Sequence, residues 1–134
     1  MTAYPLAACV TVLTLFVYFW MATQIGKARR EHGIQAPEDR GPDAFNRVMR
    51  AYENTIEMMV LFLPALWLFA ITISDFWAGV IGVFFPIGRV FFALGYYKES
   101  SKRTRGFMIG FIATMILLIG ATLGSFHAAY ATYM

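Results

Sequence analysis

Four long apolar runs constrain this chain more than any other feature of it. They cover residues 4–25, 45–73, 76–97 and 106–130, each close to or above the ~20 residues a helix needs to cross a bilayer. Within a bilayer every backbone polar group needs an internal partner, which leaves only helices and closed strand barrels. The runs are continuous rather than alternating, which argues for helices. With 134 residues in all, little chain remains for a second domain. The expectation is one all-α membrane domain, residues 1–134, built as a four-transmembrane-helix bundle with helices at about 4–30, 44–73, 76–98 and 104–130.

Charge placement sets the orientation and narrows the partners. Only 14% of residues are charged, against ~25% in an ordinary soluble protein. The formal net charge of +3 does not point to nucleic acid, because the cations are grouped by loop. Lys27, Arg29, Arg30, Arg40, Arg47 and Arg50 lie in or beside the first loop, and Lys98, Lys102, Arg103 and Arg105 in the third. The second loop, around Ser74 and Asp75, has none, nor do the tails. The positive-inside bias therefore puts loops one and three in the cytoplasm and both termini on the opposite side. A bacterial inner membrane and the endoplasmic reticulum both satisfy this, and membrane lipid is an implied partner. The first run lacks a basic leader and a small-residue cleavage site, so it reads as a retained span. A lone Cys9 excludes an internal disulfide framework and is expected to pack inertly among apolar neighbours. His32 has no companion at metal-ligand spacing and reads as a solvated loop residue, and His127, near the far end of the fourth span, is expected only to face the interface, so no metal is expected.

The second span begins polar and ends oily. Arg47, Arg50, Asn54 and Glu57 are spaced three, four and three residues apart, which places them along one helical face. Asp43 is expected to cap this helix and Asp75 the third, while Pro64 is expected to kink the second near Val60–Leu61. Arg89 lies inside the third span. At ~1.5 Å per residue, Glu57 is ~20 Å along its helix from Asp43 and Arg89 is ~14 Å from Lys98, so similar depths are possible. An isolated charge at such depth costs ~2.5–3.5 kcal/mol, and a structural Glu57–Arg89 ion pair is the expectation. In the fourth span, Gly106-x-x-x-Gly110 and Gly120-x-x-x-Gly124 allow close helix approach.

The polar face suits a small hydrophilic ligand with carboxylates and an amine. Arg50 and Asn54 can hold a carboxylate through a guanidinium fork and an amide donor, and Glu57 can take an ammonium. Arg29 and Arg30 can hold a second carboxylate, and Arg103 or Arg105 can stabilise an anion at the reacting centre. This set fits a zwitterionic tripeptide with a thiol better than an ion or a lipid. Two other readings remain open at this level: interfacial anchors with a purely structural network, and a small proton-coupled exporter with Glu57 as the protonatable site.

The segment FNRVMRAYENTIE resembles the RxxxNxxE signature of the MAPEG family, the membrane-associated proteins of eicosanoid and glutathione metabolism, here Arg50, Asn54 and Glu57. The ARR end of the first helix, RVFFALGYY in the third and SKRTRGF at the start of the fourth fit the same pattern in order. The pattern is most similar to the microsomal glutathione transferases of types two and three and the leukotriene C synthases. The resemblance implies a homotrimer binding glutathione as co-substrate between subunits near the cytoplasmic ends. Carried over by position, Arg50 and Asn54 hold the γ-glutamyl carboxylate, Glu57 its amine and Arg29 the glycyl carboxylate. Tyr96 lines the site, Arg30 sits at its mouth, and Arg103, with Arg105 as the alternative, meets the sulfur. The implied activity is conjugation of glutathione to a lipophilic electrophile, or reduction of a lipid hydroperoxide; a non-catalytic lipid-binding relative is the remaining option within the family. Phe92 stands where many relatives carry Tyr or His, and Tyr52 where Gln or His is common.

Overall fold

A computed structural model describes residues 3–134. Among these the ordered elements are all helical: α1 (Pro5–His32), α2 (Asp43–Thr72), α3 (Asp75–Gly82), α4 (Phe84–Lys98), a 3-10 turn (Ser100–Arg103) and α5 (Thr104–Tyr133). They make up four segments long and apolar enough to span a membrane, with α3 and α4 forming the third and the 3-10 turn and α5 the fourth.

The helix ends depart from the sequence expectation in instructive ways. α1 ends two residues beyond the expected Arg30, where Gly33 adopts φ 64° and returns its N–H to the Arg29 carbonyl. That left-handed conformation carries no steric penalty only in glycine. Asp43 does not cap α2: it lies within the first turn, Pro42 precedes it, and no side-chain cap bond forms. Its charge there still favours the positive end of the helix dipole. The cap of α3 is Ser74, whose hydroxyl accepts from the Trp77 N–H at 3.2 Å. Asp75 is thereby free to cap a different helix. Its two oxygens accept from the Leu6 and Ala7 N–H groups at 3.0 and 2.9 Å, satisfying donors that the start of α1 leaves over after Pro5. α2 runs as one helix through Pro64, while the third span is interrupted at Val83. There Pro86 provides no N–H for the Gly82 carbonyl four residues earlier.

The interior is narrow and tightly packed. Phe62 of α2 and Phe85 of α4 stack at 4.0 Å, nearly parallel at 8°, within a core that also takes in Ala7, Val10, Leu66, Leu117 and Ala121. α4 and α5 meet backbone to backbone. A Cβ on Gly88 would lie 2.9 Å from the Gly106 carbonyl oxygen, and one on Gly106 would strike the Phe92 backbone. Gly120 and Gly124 face Phe69 and Thr72 of α2, and Ile73 just beyond its end, at similarly close range. Large apolar side chains point outward as well: Phe16 and Phe19 are each 65% exposed, and Val60 and Phe126 72%. Such a surface suits lipid or another protein rather than water. Cys9 belongs to this exterior and is exposed on α1, so it does not pack in the interior of the chain as expected.

Candidate functional site

The first half of α2, the last turns of α4, the 3-10 turn and the start of α5 enclose a cavity of about 480 Å³. This volume lies within the ~300–1,000 Å³ usual for small-molecule sites. Its lining includes Arg50, Glu53, Asn54 and Glu57 from α2, Phe92 and Tyr96 from α4, and Arg103, Thr104 and Phe107 from the turn and α5. α2 supplies four polar residues because positions 50, 53, 54 and 57 are one or two turns apart and share a face.

Arg103 is the better placed of the two cations considered for the reacting centre. Its guanidinium lies 5.2 Å from the Tyr96 ring centroid, and its Nη1 donates to the Ser100 carbonyl at 3.1 Å. The turn thus holds the side chain over the cavity. Arg105 is exposed and does not line the cavity. The lining carries two guanidinium groups and two carboxylates. A balanced set of this kind matches a zwitterion better than a simple anion or cation.

Several expected members lie elsewhere in the chain. Arg29 donates from Nη1 to the Glu38 carbonyl at 2.6 Å and sits 5.7 Å over the Phe45 ring, committed to the first loop. Arg30 is exposed and likewise outside the cavity. Arg47, at the head of the polar face, reaches toward the Tyr97 carbonyl at 3.5 Å and borders a smaller adjoining cleft with Asp43 and Asn46. Tyr52 turns away to stack on Tyr18 at 4.7 Å.

The expected Glu57–Arg89 ion pair does not form. Among the described residues the ion pair present is Lys27–Glu31, at 4.0 Å. Arg89 is wholly buried, and its Nη1 donates to Asn54 Oδ1 at 2.8 Å and to Thr55 Oγ1 at 3.2 Å. Helical phase explains the substitution. Asn54 and Thr55 flank the direction toward Arg89, and at ~100° per residue Glu57 points roughly 110° away from it. Depth alone could not reveal that. The guanidinium is instead sandwiched among aromatic rings, 4.2 Å from the Phe92 centroid and 5.6 Å from those of Phe85 and Phe107. Cation–π contact of this kind offsets part of its desolvation.

Sequence reasoning missed Glu53, Thr104 and Phe107. Glu53 was recoverable, since it stands three residues after Arg50 and four before Glu57. Thr104 and Phe107 enter only through the way α5 folds back on α4, which no local pattern announces.

Comparison with known proteins adds independent support for the architecture. Residues 7–123 match the model of the MAPEG family. The chain is 39% identical over 116 residues to an uncharacterised protein of Synechocystis sp., covering 87% of this chain and 85% of that one. It is 31% identical to human microsomal glutathione S-transferase 2, over 87% of this chain and 80% of the relative. Guinea-pig (Cavia porcellus) leukotriene C4 synthase is 32% identical over 89% of this chain and 79% of its own length. With a family match that runs from α1 into α5 and four spans to carry it, the chain is an integral multi-pass membrane protein that belongs to the MAPEG family.

Proposed function

We propose that this protein is a membrane-bound glutathione transferase that binds glutathione as a thiolate and conjugates it to lipophilic electrophiles, with reduction of lipid hydroperoxides as a second use of the same thiolate. The observation that carries the reading is the convergence of Arg50, Asn54, Glu57, Tyr96 and Arg103 on one cavity. Two of its relatives, a microsomal glutathione S-transferase and a leukotriene C4 synthase, support it at the family level.

The chemistry follows from charge. Arg50 and the Asn54 amide hold the γ-glutamyl carboxylate, and Glu57 holds the adjacent ammonium. A free thiol ionises near ~8.5, so at neutral pH only a few per cent is thiolate. The Arg103 guanidinium stabilises the anion, and lowering the thiol by two units needs ~2.7 kcal/mol. The electrophile arrives from the bilayer, where the apolar exterior meets lipid. The thiolate sulfur attacks it, a carbon–sulfur bond forms and the leaving group departs with its electron pair. Bringing a water-borne nucleophile and a lipid-borne electrophile together is what placement in a membrane achieves.

One chain leaves the clamp short of a cation for the glycyl carboxylate, because Arg29 and Arg30 lie outside the cavity. A homotrimer in which a neighbouring copy presents its α1 end to the cavity supplies it. Loops one and three then face the cytoplasm, where glutathione is available, and the termini face the opposite side.

An exporter with Glu57 as its proton carrier is the reading from another class. An exporter of that kind needs a lone membrane carboxylate, whereas Glu57 shares its cavity with Arg50, Asn54 and Arg103, a set arranged as a clamp for a zwitterion. Purified protein in vesicles tests both: glutathione-dependent conjugation of a generic aromatic electrophile is expected, and proton flux is not. Proton-coupled transport without conjugation overturns the proposal.

A further inference from the structure

We propose that Arg89 is a positioning residue for this pocket: by holding the Asn54 carbonyl from behind, it turns the amide N–H groups into the cavity and so fixes which end of the ligand binds there. The inference rests on reading the cavity as a glutathione site. It begins from an oddity. Arg89 is 0% exposed, no carboxylate lies within ion-pair range of it among the described residues, and its Nε and Nη2 have no hydrogen-bond partner. A buried cation in this state is a poor way to fill space, since an apolar side chain of similar volume avoids the desolvation cost.

What Arg89 does have is a single productive contact direction. Its Nη1 meets Asn54 Oδ1 at 2.8 Å and Thr55 Oγ1 at 3.2 Å. Thr55 donates its own hydroxyl proton to the Ala51 carbonyl at 2.8 Å, so its lone pairs are free for Arg89. A guanidinium carries only donors. The Asn54 atom that faces it must therefore be the oxygen, whichever way the amide would otherwise rest. Nδ2 is left on the other side, and Asn54 is one of the residues lining the cavity. The sandwich of Phe92 and Phe107 holds the guanidinium against movement, and both rings are cavity walls.

Without Arg89, no hydrogen bond from another side chain holds the Asn54 oxygen away from the cavity. An oxygen turned inward would set an acceptor beside the ligand carboxylate and would compete with Glu57 for the ammonium. With Arg89 in place, Arg50 and Asn54 present donors only and Glu57 acceptors only. The polarity of the clamp, and hence the direction in which the amino-acid end lies, is set by a residue that does not touch the ligand.

The test is a double-mutant cycle on the purified full chain, read as the glutathione dissociation constant. Arg89→Met and Asn54→Ala are each expected to weaken binding roughly tenfold, which corresponds to ~1.4 kcal/mol. The double variant is expected to bind no worse than Asn54→Ala alone, because Arg89 acts only through that amide. Losses that multiply to about a hundredfold, or an Arg89→Met protein that binds like wild type, overturn the proposal. Asn54→Asp covers the case in which Arg89→Met does not fold. It keeps an acceptor for Arg89 but shows the cavity a carboxylate oxygen, so it should bind at least tenfold more weakly while remaining as stable as wild type. Wild-type affinity in Asn54→Asp contradicts the donor assignment. A wild-type protein that binds no glutathione overturns the reading of the cavity itself, whereas wild-type binding with independent losses removes only the role of Arg89.

Discussion

Replacing Arg103 by alanine isolates the charge assigned to the sulfur. The side chain is pinned by the Ser100 carbonyl and the Tyr96 ring, so its loss removes a cation from a defined place. Two unit charges ~4 Å apart interact by ~1 kcal/mol in water and ~4 kcal/mol at an effective dielectric constant of ~20. Arg103 is exposed, so a value toward the lower part of that range applies, about 1.5–2.5 kcal/mol, or roughly one to two units in the ionisation of the bound thiol. The wild-type site then holds glutathione near an ionisation midpoint of ~7, and the variant returns it toward ~8.5. At pH 7 the thiolate share falls about tenfold or somewhat more. Conjugation kcat should fall in proportion, while the glutathione KM changes by less than about threefold, because the γ-glutamyl contacts remain. The sign with pH is fixed. The stabilised form is the deprotonated one, so the deficit is largest below the wild-type midpoint and vanishes as pH rises past ~9. Steady-state conjugation measured from pH 6 to 9.5 reads this directly. A deficit that stays constant across that range, with KM rising as kcat falls, shows Arg103 to be a carboxylate clamp and refutes the reasoning.

Other perturbations separate site from scaffold. Arg105→Ala should leave conjugation within about twofold of wild type, because Arg105 does not line the cavity; a loss matching that of Arg103→Ala transfers the sulfur role to it. Gly106→Ala places a methyl group against the Phe92 backbone and should cost ~1–3 kcal/mol as overpacking, measured by reversible unfolding in mixed detergent. Gly110→Ala brings its new carbon to 3.4 Å from a Phe85 ring carbon, an ordinary contact, and should fall within ~0.5 kcal/mol; equal losses at both positions contradict the packing described for α4 and α5. Asp75→Ala removes the cap on α1 and should lower stability by ~0.5–2 kcal/mol without altering the glutathione KM, and a changed KM would tie the far end of the bundle to the site.

Where sequence reasoning succeeded and where it failed have physical explanations. Membrane spans are legible because ~20 apolar residues have few alternatives in a bilayer. Arg50, Asn54 and Glu57 were legible because helical spacing alone puts them on one face. Glycines spaced four apart announced close backbone approach, which Gly88, Gly106 and Gly110 realise between α4 and α5. The failures all involve partners on other helices. Depth counting put Arg89 beside Glu57, but partner choice depends on rotational phase, and phase gave Asn54 and Thr55 instead. Asp75 read as a local cap because local capping is common, while its actual acceptors serve the start of a helix 68 and 69 residues away. Arg29 and Arg30 are cations at a helix end in either reading, and one chain turns them away from the cavity.

Ionisation of glutathione by the protein is the central step of the proposed function. Titrating purified protein with glutathione at pH 7 and following ultraviolet thiolate absorbance reports binding and activation together. The prediction is a saturable thiolate signal that is strongly reduced in Arg103→Ala at the same occupancy. Saturable binding with no thiolate signal in the wild-type protein would contradict it.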